Sequence, residues 1–229
     1  MNKNIKHINK VFWLSSLIIL SIHCRQPVVP TEEDLAGYGW TLYETGEYEE
    51  AREWFYDAVS KDSSYADGYN GIGWCFGKLR QADSAAAYFH ISQTKEFDPF
   101  DTPDLDLDLY AGLTFSYSGM HIDSLVRTYA AYVLVEDVDL FIEPYYGWYL
   151  KHDPKINHLD VRLELALAEF NMGYFVSCRD NLQSIYNDTY YQKFPSNTVK
   201  SLTMNLETVL GRAELAQILQ SLQQTLKNI

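Results

Sequence analysis

Between Leu35 and Ser92 the apolar residues recur at helical spacing in paired runs, each pair broken by a short polar turn. The pattern then repeats itself. Gly37, Gly39, Trp40, Ala51 and Phe55 return as Gly71, Gly73, Trp74, Ala85 and Phe89, 34 residues later. A fixed period of this length marks stacked supersecondary units, here pairs of helices joined by a turn. In the first unit the break is Thr45-Gly46-Glu47, where glycine leaves the helical region at little steric cost.

The same pattern runs on more faintly. A third unit reads Ala111-Gly112-x2-Phe115, with Gly119 in the place of Gly46, then Ser124 and Ala131, with Thr128 where the aromatic residue stood. A fourth reads Leu165-Ala166, Gly173, then Cys178-x3-Leu182-x2-Ile185, with Asn157 and Asp160 as a helix-capping pair ahead of it. The units fall near 32–65, 66–99, 105–135 and 157–190. The tail, 196–229, predicts two further helices turning near Gly211, a less aromatic pair able to cover the last apolar face.

These residues resemble the tetratricopeptide repeat (TPR), in which a small residue sits midway along the first helix and Ala-x3-Phe marks the second. The matching runs are Leu35-x2-Tyr38-Gly39-x2-Leu42 with Ala51-x3-Phe55-x2-Ala58, and Tyr69-x2-Ile72-Gly73-x2-Phe76 with Ala85-x3-Phe89-x2-Ser92. The closing proline of the family is replaced by Ser63 and Phe97. The resemblance implies an all-α, right-handed solenoid of helical hairpins with a C-terminal capping helix pair. It implies an architecture and not a reaction. It also places the first helix of each hairpin on a concave, partner-binding face. That face would carry Trp40, Tyr43, Asn70, Trp74, Tyr117 and Phe170, with Glu44, Lys78, Leu113 and Leu167 beside them.

The amino-terminal residues alter the picture. Lys3, Lys6 and Lys10 precede an apolar run from Val11 to Ile22, shorter than the roughly 18 residues of a membrane span. The run ends at Leu20-Ser21-Ile22-His23-Cys24, which looks like a bacterial lipoprotein cleavage site, with His23 where that family prefers a smaller residue. Residues 1–23 are therefore expected to be a signal peptide, Cys24 the lipidated mature N-terminus, and 24–31 a tether to the domain 32–229. Arg25, rather than an aspartate, after the cysteine fits sorting to the outer membrane. Without the three leader lysines the chain carries 15 Lys and Arg against 31 Asp and Glu, a net charge of −16. Such a balance opposes nucleic-acid binding, which needs cations against phosphate. Attachment to a membrane would come from the lipid.

Candidate chemistry is sparse. Asp104-Leu-Asp106-Leu-Asp108 lacks the glycine of a calcium loop, since Leu109 stands there, and acidic residues at a helix start suit the helix dipole without an ion. His152, Asp153, His158 and Asp160 do not have the spacing of a helix-borne zinc motif. No phosphate loop or nucleophile elbow is present, and Cys75 and Cys178 read as small buried residues. No cofactor or metal is expected.

One segment, 136–155, lies outside the repeat: Phe141, Pro144, Tyr145, Tyr146, Trp148, Tyr149 and Pro154 make it too apolar for a free loop. It is expected to lie as a lid on the concave face against Trp40, Trp74 and Tyr117, adding Trp148 to the groove. The reading of function that follows is a non-enzymatic envelope lipoprotein, a scaffold for a protein or peptide. The alternatives are a glycan-binding module that stacks sugars on Trp40 and Trp74, and a hydrolase, metal-dependent, using His152, Asp153 and His158.

Overall fold

The computed structural model describes residues 29–98, 102, 104–134, 147–194 and 200–227. Residues 1–28, and with them the expected signal peptide, Cys24 and most of the expected tether, lie outside the described residues. By backbone contacts Met1–Thr31 forms one unit and Glu32–Ile229 another, and all that follows concerns the second.

Helix accounts for 72% of the described residues, in ten segments, so the protein is mostly α-helical. Eight of them form four hairpins: α1 (Glu32–Thr45) with α2 (Tyr48–Lys61), α3 (Ala66–Lys78) with α4 (Ala82–Gln93), α5 (Leu105–Gly119) with α6 (Asp123–Leu134), and α7 (His158–Asn171) with α8 (Phe175–Asn187). A short α9 (Thr189–Gln192) and a long α10 (Val209–Leu226) follow. Each helix packs on the next from α1 to α8, and α10 lies against α7 and α8. The odd-numbered helices also touch one another, α1 to α3, α3 to α5 and α5 to α7, forming a continuous layer.

The four turns inside the hairpins share one backbone device. Gly46, Arg80, His121 and Gly173 all take positive φ, at 89°, 61°, 58° and 82°. In each, the next residue donates its N–H to a carbonyl five residues back: Glu47 to Leu42, Gln81 to Phe76, Ile122 to Tyr117 and Tyr174 to Glu169. This left-handed closure satisfies carbonyls left open at the end of a helix.

Measured from that turn, the packing register repeats as well. Seven residues before it stands a small residue, and nine after it stands the residue that packs opposite: Gly39 with Phe55 and Gly73 with Phe89. A Cβ on Gly39 would stand 3.0 Å from the Phe55 ring, and one on Gly73 2.6 Å from Phe89. The same two rings press on the following hairpin, where Cβ atoms at Gly71 and Gly112 would come within 2.4 and 2.3 Å. Each phenylalanine therefore fills a slot between two glycines, which sets how closely neighbouring odd helices approach.

This register corrects the third unit. Ser124, Thr128 and Ala131 are exposed, and the buried stripe of α6 is Val126, Ala130 and Val133, two residues later. The cause is the turn: helix α5 runs through Gly119, and the left-handed residue is His121. The equivalents of Gly39 and Phe55 are then Thr114 and Ala130, both fully buried, with the larger side chain moved to the opposite helix.

Two further expectations change. The described residues of the tail hold the single helix α10 rather than a pair, and Gly211 lies in its first turn. There Thr208 caps the helix by accepting the Gly211 N–H at 3.0 Å, and a Cβ on Gly211 would strike the Asn205 carbonyl at 1.9 Å. That glycine serves close approach, not a reversal. Leu215, Leu219, Leu222 and Leu226 make the buried stripe of α10. The second change is a strand pair, β1 (Tyr149–Leu150) and β2 (Asp153–Asn157), paired antiparallel ahead of α7.

Candidate functional site

The strand hairpin rests on α1, α3 and α5 through one residue after another. The Trp148 indole donates to Asp108 Oδ1 at 2.8 Å, and its ring stacks on Trp74 at 6.4 Å. Leu150 is fully buried. His152 stacks on Trp40, centroids 4.1 Å apart and planes 7° from parallel, while its Nδ1 meets Glu44 Oε1 at 2.7 Å. Asp153 takes the Lys78 ammonium at 2.5 Å. At its far end the His158 N–H donates to the Trp148 carbonyl at 2.7 Å, so helix α7 begins where the hairpin closes. Asn157 caps that helix: its side chain accepts the Leu159 N–H and Asp160 accepts its own N–H, both at 2.9 Å.

Beneath the hairpin is a polar seam. The Trp40 indole donates to Asp67 Oδ2 at 2.8 Å, and Asn70 reaches Asp67 Oδ1 at 3.2 Å. Burial pushes the Asp108 carboxyl up to about 7; the Trp148 hydrogen bond opposes the shift and the nearby Asp67 adds to it. The Tyr43 phenol is held far above its ordinary range, first by burial and then by the charge of Asp153. Three buried polar atoms in this region have no hydrogen-bond partner among the described residues: the Tyr43 hydroxyl, Asn70 Oδ1 and Trp74 Nε1.

Of the groove residues expected from the sequence, Trp40, Tyr43, Asn70, Trp74 and Trp148 converge here, all buried. They pack under and within the hairpin and do not form an open aromatic face: His152 covers Trp40 and Trp148 covers Trp74. Tyr117 sits elsewhere, its hydroxyl 2.8 Å from His90 Nε2 and its ring stacked on Tyr129 at 5.5 Å. Phe170 packs on Phe175 at 5.3 Å in a second core formed with α8 and α10. Of the expected lid, Phe141, Pro144, Tyr145 and Tyr146 lie outside the described residues, and Tyr149 points to solvent at 55% exposure.

Sequence reasoning missed Asp67 and Asp108 as indole acceptors. The acidic run ending at Asp108 reads as dipole compensation, but a buried Trp needs an acceptor for its N–H, and that requirement was the available signal. The proposed acid–base residues are not brought together. His152 pairs with Glu44, Asp153 with Lys78, and His158 with Asp188 at 3.0 Å. Among the described residues no group of three or more His, Cys, Asp or Glu is arranged to hold a metal. Cys75 and Cys178 are free and buried, their thiols pushed up to about 12 chiefly by burial.

Beside the hairpin opens a cavity of about 710 Å³ between α3, α5, β2, α7 and the end of α10. Trp74, Phe89, Phe115, Ile156 and Leu163 give it apolar walls. This volume lies within the roughly 300–1,000 Å³ of small-molecule sites.

Fold and site together define a class: a protein of consecutive helical hairpins, with a strand hairpin docked across the odd-numbered helices. No model of a known protein family matches the chain, and neither does any curated protein or solved structure.

Proposed function

We propose that this chain is an envelope lipoprotein whose TPR-type solenoid, right-handed and closed at its C-terminal end by α10, holds a protein or peptide without catalysing a reaction. The observation that carries the reading is the repeated hairpin, with one turn geometry at Gly46, Arg80, His121 and Gly173 and one packing register around it. Stacked units of this kind offer extended surfaces for partners. The strand hairpin occupies part of the face expected to bind, so a partner meets a composite of that hairpin and the neighbouring helices. Tyr149 is the exposed aromatic residue of that surface.

Photo-crosslinking in the native envelope tests the reading. A crosslinker at Tyr149 should give a discrete protein adduct, whereas one at Tyr38, exposed but packed on Trp54 of α2, should not. Absence of an adduct at 149, or the same adducts at both sites, would sink the assignment of the surface. The anchor has its own test: Cys24→Ala should release the protein from membranes, and unchanged retention with an unmodified cysteine refutes lipidation.

A further inference from the structure

The cavity beside the strand hairpin combines apolar walls with a charge unlike that of the molecule. The whole chain carries a net −13, yet Lys78, Arg80, Lys155 and Lys227 all line this one cavity. Lys78 is paired with Asp153. Arg80, Lys155 and Lys227 form no ion pair among the described residues.

The remaining carboxyls are already engaged. Asp160 caps its own helix, and burial raises its carboxyl to about 6. Glu164 accepts the Ser118 hydroxyl and is likewise raised, first by burial. Glu164 also feels the charge of Lys227, so the rim cations with no carboxylate partner among the described residues are Arg80 and Lys155. Trp74, one of the walls, also carries an indole N–H with no acceptor among the described residues. Unpaired donors and cations around an apolar interior complement a ligand with a negative head and a hydrocarbon body.

We propose that this cavity binds a single-chain anionic amphiphile, its alkyl chain along Phe89, Phe115 and Leu163 and its carboxylate or phosphate head at Arg80 and Lys155. The inference is independent of the partner-binding reading, because it rests on the cavity and its charge alone. A long-chain carboxylate and a lipid phosphate share the chemistry that the rim recognises. A long-chain amine has the opposite head and should be refused, and an alcohol of equal length should lose the contribution of the cations.

The test uses the full chain in membranes and three diazirine-bearing probes of equal length: a hexadecanoate, a hexadecanol and a hexadecylammonium. Adducts are mapped by mass spectrometry, which separates labelling of the cavity from labelling elsewhere on the chain. The carboxylate probe should label residues within 74–89, 112–119 and 156–163 at least tenfold more than the other two. Competition with dodecanoate and with dodecyl phosphate then identifies the preferred head, and displacement by either supports the site.

Gly77→Trp should reduce this labelling at least tenfold. Gly77 lines the cavity, and a Cβ there meets nothing within 4 Å, so the fold has room for the change. The exposed pair Arg80→Gln with Lys155→Gln should reduce labelling severalfold at an unchanged helical circular dichroism spectrum. Equal labelling by the alcohol, preference for the ammonium, or cavity labelling unaffected by Gly77→Trp would overturn the proposal.

Discussion

Arg80 and His121 occupy a backbone conformation that costs most residues about 1 kcal/mol or more, because the Cβ crowds the neighbouring carbonyl. At the equivalent places in the first and last hairpins stand Gly46 and Gly173, for which the conformation is nearly free. Arg80→Gly and His121→Gly should therefore each raise stability by about 0.5–1 kcal/mol despite the looser unfolded chain, seen as a higher denaturation midpoint. Unchanged or lower midpoints for both would show that the side chains repay the strain. A second prediction concerns the slots between helices. Gly73→Leu places a side chain where the Phe89 ring already lies and should cost on the order of 1–3 kcal/mol. A melting temperature that stays in place would mean that the neighbouring helices give way freely.

At the scale of elements, the hairpin of β1 and β2 and the Trp148 that precedes it are held on three helices, by His152 on α1, by Asp153 and Trp148 on α3, and by Trp148 on α5. Removing Trp148 tests the contact shared by two of them. Trp148→Ala deletes a buried ring and leaves the Asp108 carboxyl without its indole donor, so it should cost about 3–5 kcal/mol if the hairpin holds its place. If the hairpin instead lifts away, the loss is smaller, and amide exchange in 149–157 accelerates while that in α1 to α4 does not. Trp148→Phe, which keeps the ring and loses the donor, should fall between wild type and alanine. A variant that exchanges and melts like wild type would show that the hairpin does not depend on this anchor.

How much of these elements was legible in the sequence depended on which residues carried the signal. The first two hairpins were readable because glycines and aromatic residues mark their packing. The third slipped by two residues because Gly119 resembles a turn residue, while the left-handed position belongs to His121, a side chain with no such reputation. In the tail, Gly211 signalled a reversal but serves the close passage of the Asn205 carbonyl. Five of the seven expected groove residues do meet, since the spacing of Trp40, Tyr43, Asn70 and Trp74 puts them on the odd-helix layer. What covers them was not readable: stacking of His152 on Trp40 joins positions more than a hundred residues apart.

For the whole molecule, half-buried carboxyls on the odd-numbered helices contribute a response to pH. Asp108, Asp160 and Glu164 all have raised values, with Asp108 at about 7 and Asp160 at about 6. In the unfolded chain carboxyls titrate near 4, so between roughly pH 4 and 7 the folded state binds more protons than the unfolded one. Stability from these groups is therefore fully present below about pH 4 and is lost progressively as pH rises through 6 and 7. Asp108→Asn keeps an acceptor for the Trp148 indole and removes the half-buried charge. It should raise the melting temperature at pH 8 and change it little near about pH 4. An equal effect at both pH values would show that Asp108 does not hold a proton in the fold.

The lengths of the joints follow a rule of their own. From the left-handed residue of one hairpin to that of the next the chain counts 34, 41 and 52 residues: Gly46 to Arg80, His121 and Gly173. The stretch from the small residue to its opposite number is constant at 16, so every added residue falls in a connection between hairpins. Turns within hairpins behave as fixed couplings, whereas the connections are sockets whose length varies from one pair of hairpins to the next. The 135–157 socket already carries the strand hairpin, and the one between α4 and α5 carries the shorter insert. A foreign loop added at the connection between α4 and α5 would leave the couplings and the docked strand hairpin in place, which makes that joint the port for a grafted peptide.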